Sequence, residues 1–232
     1  MTENSVGGRV VLLAGATSLS GVAAARVLAS AGARVVAVGR DSDKLDSLAG
    51  EVPGIRVEVC DLTDEFGVRS LAEHVHEAVG RVDGILHLVG GWRGGGGLAG
   101  QSEDDYRFLE RSFTALRVVS RAFDDDLRAS PCGRLAIVSS TAVERPLAGG
   151  ANYAAVKAAS EAWTRAVAQG FAKAARDAAT PLTAAAVVFR VKSLEGLEDA
   201  VAERFAALWS DDAVSVNGTM IPLESSRTTD PG

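Results

Sequence analysis

The sequence is poor in every residue type that builds a metal centre, a disulfide framework or a membrane span. It has two cysteines, Cys60 and Cys132, whose separation matches no metal-binding spacing. Two reduced structural thiols in a cytoplasm are the expectation that follows. The three histidines, His74, His76 and His87, form no ligand cluster, because the first two lie two apart in a helical pattern and point in different directions. No metal is therefore expected. No stretch approaches about 18 uninterrupted apolar residues, which excludes a membrane-spanning helix. The opening "MTENSVGG" lacks the basic-then-apolar build of a signal peptide. Positive charge is not in surplus either. Twenty-four Lys and Arg stand against 30 Asp and Glu, a net charge of −6, which argues against general nucleic-acid binding.

What the sequence does have is a core. With 47% hydrophobic and 23% charged residues, 232 positions suffice for one sizeable domain, here expected over 1–223, with "ESSRTTDPG" (224–232) as a disordered tail. Short apolar runs alternate with longer helical patterns. Strands are expected at about 9–14, 34–39, 55–60, 82–89, 133–139, 182–191 and 214–221. Helices are expected at about 19–31, 42–50, 64–79, 102–129, 151–179 and 195–209. The runs "RVVLLA", "RVVAVG", "GILHLV" and "RLAIVS" are continuously apolar rather than alternating, the pattern of strands buried on both faces. The fold class is thus α/β: a Rossmann-type, doubly wound parallel sheet of about seven strands with helices on both faces. Its ligand belongs at the carboxyl ends of the strands.

Two stretches carry chemistry. After the first strand comes "GATSLSG", with Gly15 ending the strand and Gly21 inside the first turns of the helix. A pyrophosphate site needs a tight turn, close backbone approach and a helix N-terminus aimed at the charge. Thr17 and Ser18 are small and hydroxylated and can add hydrogen bonds. Leu19 must either turn away from a phosphate or push it outward. The second stretch is "RLAIVSSTAVERPLAGGANYAAVKAASEAW". Tyr153 and Lys157 share one face of a long helix, and Ser140 ends a buried strand thirteen positions before the tyrosine. A phenol of pKa about 10 is a poor acid or base near neutrality, and a neighbouring ammonium favours the phenolate.

Taken together, these residues resemble the short-chain dehydrogenase/reductase superfamily over about residues 8–223. "AGATSLSG" (14–21) is similar to that family's Thr-Gly-x-x-x-Gly-x-Gly loop, with Ala14 and Leu19 as departures. "CDLTD" (60–64) resembles its turn after the third strand, "HLVGG" (87–91) its Asn-Asn-Ala-Gly, and "SVNGTMIPL" (215–223) its closing strand. Ser140, Tyr153 and Lys157 match its catalytic serine, tyrosine and lysine. The resemblance implies an oxidoreductase that passes hydride between a nicotinamide and a carbonyl or alcohol. Tyr153 would be its general acid or base, Ser140 would hold the substrate oxygen, and Lys157 would bind the nicotinamide ribose and tune Tyr153. Cofactor contacts are implied at Gly15, Thr17, Ser18, Leu19, Gly21, Asp61 (on the adenine), Leu62, Val89, Gly90, Tyr153 and Lys157.

Further departures concern turnover and substrate access. Ser112, with Phe113 the neighbouring possibility, aligns with the helical asparagine that supports the family's water-linked proton relay to the lysine, and is carried as a catalytic candidate. The Pro-Gly after the sixth strand is absent from "AAVVFRVKS" (185–193), and the lid after that strand is very short. A dinucleotide-binding scaffold or regulator with little catalysis is the alternative to an enzyme. The second strand ends in Gly39 and Arg40 instead of an acidic residue, so NADP(H) is favoured over NAD(H) through pairing of Arg40 with the 2′-phosphate. The run "GGWRGGGGLAG" (90–100) is read either as a substitute lid with Trp92 stacking on substrate, or as a floppy loop with Trp92 in the core. Arg93 would suit an anionic substrate. Glu144 and Arg145 are rim residues or solvated charges. The resemblance implies a small-molecule carbonyl or alcohol as substrate. The alanine-rich 151–179 fits close helix contact and self-association, and the resemblance implies a homodimer or homotetramer through this helix and 102–129.

Overall fold

The computed structural model describes residues 5–224, so the tail expected at 224–232 lies outside it except for Glu224. Its seven strands are β1 (Val10–Ala14), β2 (Arg34–Gly39), β3 (Arg56–Val59), β4 (Gly84–His87), β5 (Arg134–Ser140), β6 (Ala185–Val191) and β7 (Met220–Pro222). They form one sheet in the order β3-β2-β1-β4-β5-β6-β7, and every pairing is parallel. The helices are α1 (Leu19–Ser30), α2 (Ser42–Glu51), α3 (Glu65–Val79), α4 (Glu103–Ala122), α5 (Asp124–Ala129), α6 (Ala151–Asp177), α7 (Glu198–Ala207) and α8 (Ala213–Val216).

The apolar runs are continuous because both faces of the sheet are covered. On β1, Val11 and Leu13 pack with α1, α2 and α7, while Val10, Leu12 and Ala14 pack with α3, α4 and α6. The chain reverses its direction of winding between β1 and β4, whose ends pair at Ala14 and His87. That switch point opens a crevice at the carboxyl edge of the sheet.

Two elements differ from the sequence expectation. The stretch 102–129 is not one helix but two, broken at the fully buried Phe123. The break lets Asp126 turn inward, where its Oδ2 accepts the Val82 N–H at 3.0 Å and lies 2.6 Å from His76 Nε2. The strand expected at 214–221 begins only at Met220. Asp212 caps the short α8, accepting from the Val214 N–H, and Asn217 then bridges Ala186 on β6 and Ala168 on α6.

The base of the sheet is held by an arginine. Arg134 is 2% exposed and donates to the carbonyls of Leu208, Gly133, Thr183 and Asp211 at 2.8–2.9 Å. Arg134→Met leaves the Leu208 carbonyl, among others, without its donor at the end of α7. The expected cost is about 3 kcal/mol, a Tm drop on the order of 10 °C. A drop below about 2 °C in thermal unfolding contradicts this role.

Candidate active site

Two clefts lie side by side along the carboxyl edge. The larger, about 1060 Å³, is lined by Ser140, Tyr153, Lys157 and His87, with Trp92, Leu147 and Leu194 toward its mouth. The smaller, about 550 Å³, is lined by Gly15, Thr17, Gly39, Arg40, Asp61 and Leu62. Ser18, Val89 and Gly90 line both, so the two form one bipartite groove across the switch point.

The glycines of the first loop are demanded by packing. Gly15 has φ +92°, and a Cβ there would lie 2.9 Å from the Val89 nitrogen; a Cβ on Gly21 would lie 2.3 Å from the Ala16 carbonyl oxygen. Those contacts draw β1, β4 and α1 together at the groove's centre, whatever occupies it. The Ser18 hydroxyl is spent locally. It accepts from the Gly21 N–H at 3.1 Å and donates to the Gly15 carbonyl, capping α1. The unpaired N–H groups of the first helical turn then offer the positive end of α1 to the groove. Leu19 is 81% exposed and lines neither cleft, so its side chain has taken the outward of its two alternatives.

On the smaller side, Arg40 is exposed and makes no ion pair among the described residues. Asp61 is engaged on both oxygens: Thr63 donates its N–H and hydroxyl to Oδ1, and Arg111 pairs with Oδ2 at 2.8 Å. Burial raises the Asp61 carboxyl, but these bonds outweigh it and hold the group below its ordinary value. Arg111 has no counterpart in the sequence reading, and no local pattern marks it.

On the larger side, α6 carries Tyr153 and Lys157, and the end of β5 carries Ser140. The Ser140 hydroxyl accepts from the Ala142 N–H at 3.1 Å and lines the same cleft as the Tyr153 phenol. Burial pushes that phenol above its ordinary value, and the neighbouring Ser140 hydroxyl offsets only part of the rise. The expected phenolate-favouring effect of Lys157 does not dominate here. The lysine Nζ lies 5.8 Å from the tyrosine ring centroid and donates to the Val138 carbonyl at 2.7 Å. Burial lowers Lys157 to about 8, with Glu161 acting in the opposite direction.

Ser112 lies on α4, its carbonyl 3.1 Å from the His87 Nε2. It lines the smaller cleft, and its hydroxyl donates to the Leu109 carbonyl of its own helix at 2.7 Å. Three further side chains hold residues that line the larger cleft, and sequence had not singled them out. Glu161 is 2% exposed; it accepts from the Ser139 hydroxyl at 2.7 Å and pairs with Arg190 at 2.8 Å. Its signal was legible, a carboxylate four residues beyond Lys157 on the same helical face. Arg190, where the family's Pro-Gly is missing, also pairs with Glu144, so Glu144 is not merely a solvated charge.

The third is Gln101. Its Nε2 donates to the Gly95, Gly97 and Gly149 carbonyls, and its Oε1 accepts the Asn152 N–H at 3.1 Å. The glycine-rich run is thereby fastened to the segment that leads into α6. Trp92 is 65% exposed at the cleft, not tucked into the core. Arg93 turns away toward α4, stacking 4.3 Å over the Phe108 ring and lying 3.7 Å from Asp105. It is therefore not placed to receive an anionic substrate. After β6 only residues 192–197 precede α7, so the lid is indeed short.

A doubly wound parallel sheet with a bipartite groove at its switch point defines the nucleotide-binding α/β class. The particular family follows from comparison: the chain matches short chain dehydrogenases over residues 9–176, and it belongs to that family. A short-chain type dehydrogenase/reductase of Sinorhizobium fredii is 27% identical over 176 residues, which cover 71% of this chain and 68% of that protein. An oxidoreductase of Mycobacterium tuberculosis is 35% identical over 95 residues, 38% of this chain and 28% of that protein. The match thus spans less than a third of that relative's length. Among solved structures, a short-chain dehydrogenase from Shigella flexneri complexed with NADP superimposes with a TM-score of 0.82 at 19% identity, covering 95% of this chain and 99% of that one. A metagenomic short-chain oxidoreductase in complex with NADP gives 0.79 at 26% identity, with coverage of 95% and 99%. Among the described residues, no helix is long and apolar enough to cross a membrane, and no group of His, Cys, Asp and Glu could hold a metal ion.

Proposed function

We infer that the chain is an NADP-dependent oxidoreductase acting on a carbonyl or alcohol. The observation that carries this reading is the convergence of Ser140, Tyr153 and Lys157 in a cleft continuous with the α1 N-terminus and the unpaired Arg40. The donor set fits the cofactor: the positive end of α1 for a pyrophosphate, Arg40 for a 2′-phosphate and Asp61 beside the adenine. Bound there, a nicotinamide supplies or accepts the hydride. Tyr153 gives its proton to the carbonyl oxygen in reduction and takes one from the alcohol in oxidation, while Ser140 holds that oxygen. Burial keeps the phenol protonated at neutral pH, the state that reduction requires. Lys157 would bind the nicotinamide ribose. The NADP complexes of the two structural neighbours support the cofactor choice. A cytoplasmic homo-oligomer built on α4 and α6 belongs to the same reading.

Fluorescence titration with NADPH and NADH tests it, with Trp92 at the cleft as the reporter. NADPH is expected to bind at least about tenfold tighter than NADH, and Arg40→Ala to erase most of the difference by removing one charge-assisted pair. No saturable binding of either nucleotide overturns the oxidoreductase reading. Binding without turnover of any carbonyl transfers it to the scaffold alternative.

A further inference from the structure

His87 ends β4 and is 5% exposed, lying between α4 and the larger cleft. Its Nε2 is 3.1 Å from the Ser112 carbonyl oxygen. A carbonyl only accepts, so Nε2 carries the hydrogen, and on the neutral ring Nδ1 is a bare acceptor. That atom is buried and has no hydrogen-bond partner in the protein. Such an atom in a folded chain calls for a partner.

Lys157 lines the same cleft as His87, and its charge acts on the ring. His87 pairs in register with Ile137, and the next residue along β5, Val138, is the one whose carbonyl receives the Lys157 ammonium. A Cβ built on Gly90, three residues after His87, would lie 3.7 Å from the lysine Nζ. An ammonium has three donors, and the Val138 carbonyl uses one. Burial, with a smaller contribution from the Lys157 charge, holds the imidazole down at about 4. The ring is therefore neutral, and Nδ1 an acceptor, throughout the neutral range.

We propose that Nδ1 of His87 is the second acceptor for the Lys157 ammonium through one bridging water, which makes His87 a positioning residue for the lysine that serves Tyr153. The role of Tyr153 in that statement rests on the proposed function; the contact between His87 and Lys157 does not. The groups facing the pair are Tyr153 and Glu161 from α6, the Ser112 carbonyl from α4, and Ser139 and Ser140 from β5, with Arg190 of β6 behind Glu161.

The test is NMR titration of the lysine side chains, with no nucleotide or substrate present. It is tractable because the chain has four lysines, Lys44, Lys157, Lys173 and Lys192. Three variants separate the two ring nitrogens. His87→Asn places a carboxamide oxygen near the Nδ1 position, His87→Gln reaches the Nε2 position, and His87→Leu offers neither. An acceptor favours the charged lysine, so His87→Leu is expected to lower the Lys157 midpoint by about half a pH unit, a threefold change in its proton equilibrium. His87→Asn is expected to restore the midpoint, and His87→Gln is not. The proposal is overturned if Asn and Leu shift the midpoint alike, or if Gln restores it and Asn does not, since His87 would then serve only the Ser112 carbonyl. If His87→Leu does not fold, the Asn and Gln pair still decides. Failure of nucleotide binding would sink the proposed function and leave this titration standing.

Discussion

Tyr153→Phe is expected to lower kcat for carbonyl reduction about a thousandfold while leaving the NADPH Kd within about twofold. The substitution removes one oxygen and keeps the ring that packs against the cleft. That oxygen carries the proton that reduction requires, because burial keeps the phenol above its ordinary value. Ser140→Ala removes a hydrogen bond and not the proton, so its loss should be smaller, on the order of a hundredfold. The pH profile carries a second sign. Burial lowers Lys157 to about 8, so kcat/KM is expected to fall as pH rises past that value and the ammonium is lost. Steady-state kinetics with NADPH across pH 6–10 (a range of roughly four units around the lysine) checks both. Turnover of Tyr153→Phe near the wild-type rate would remove the phenol from the mechanism.

Glu161→Leu should be the most destabilising single change on the face behind the site. The carboxylate is buried against Ser139, receives Arg190 at 2.8 Å, and has Arg165 at 3.6 Å. Removing it strands the Arg190 guanidinium, whose side chain is 11% exposed, with only the exposed Glu144 as a partner. Breaking one side of a buried pair costs about 3–5 kcal/mol, which for a chain of this size lowers Tm by on the order of 10 °C. Removing both partners is gentler, because no buried charge is left over. The double variant Glu161→Leu/Arg190→Leu should therefore regain much of the lost Tm. Differential scanning calorimetry of the three proteins decides. A double variant less stable than Glu161→Leu would mean that Arg190 acts independently of the carboxylate. The same network bears on the site, since Glu161 favours the charged form of Lys157.

Most of the groove was legible residue by residue. Tyr153 and Lys157 lie four apart on α6, and Ser140 lies at the end of a strand whose apolar run marks it as buried; each is a local pattern. Glu161 sits on the same helical stripe and could have been read from it. His87 could not, because a lone histidine at the end of an apolar run has the same local pattern whether or not a helix covers it. Ser112 was correctly placed on the fourth helix, yet its side chain turns to the Leu109 carbonyl, one helical turn back. Arg93 was read toward the cleft, but the ring of Phe108 and the carboxylate of Asp105 on α4 draw it the other way.

The sequence by itself determined the layered α/β architecture, the strand–helix alternation and the helical stripe that carries tyrosine and lysine. These follow from periodicity, and periodicity is a property of neighbours along the chain. Tertiary structure alone decided what those side chains meet. It broke the helix at Phe123 to bring Asp126 inward, set Val138 as the acceptor for Lys157, turned Leu19 outward, and enclosed His87 with one nitrogen spent and one bare. The physical reason is common to all four. Burial and hydrogen-bond partners are set by elements tens of residues apart in the chain, and no local pattern records which of them will close over a given side chain.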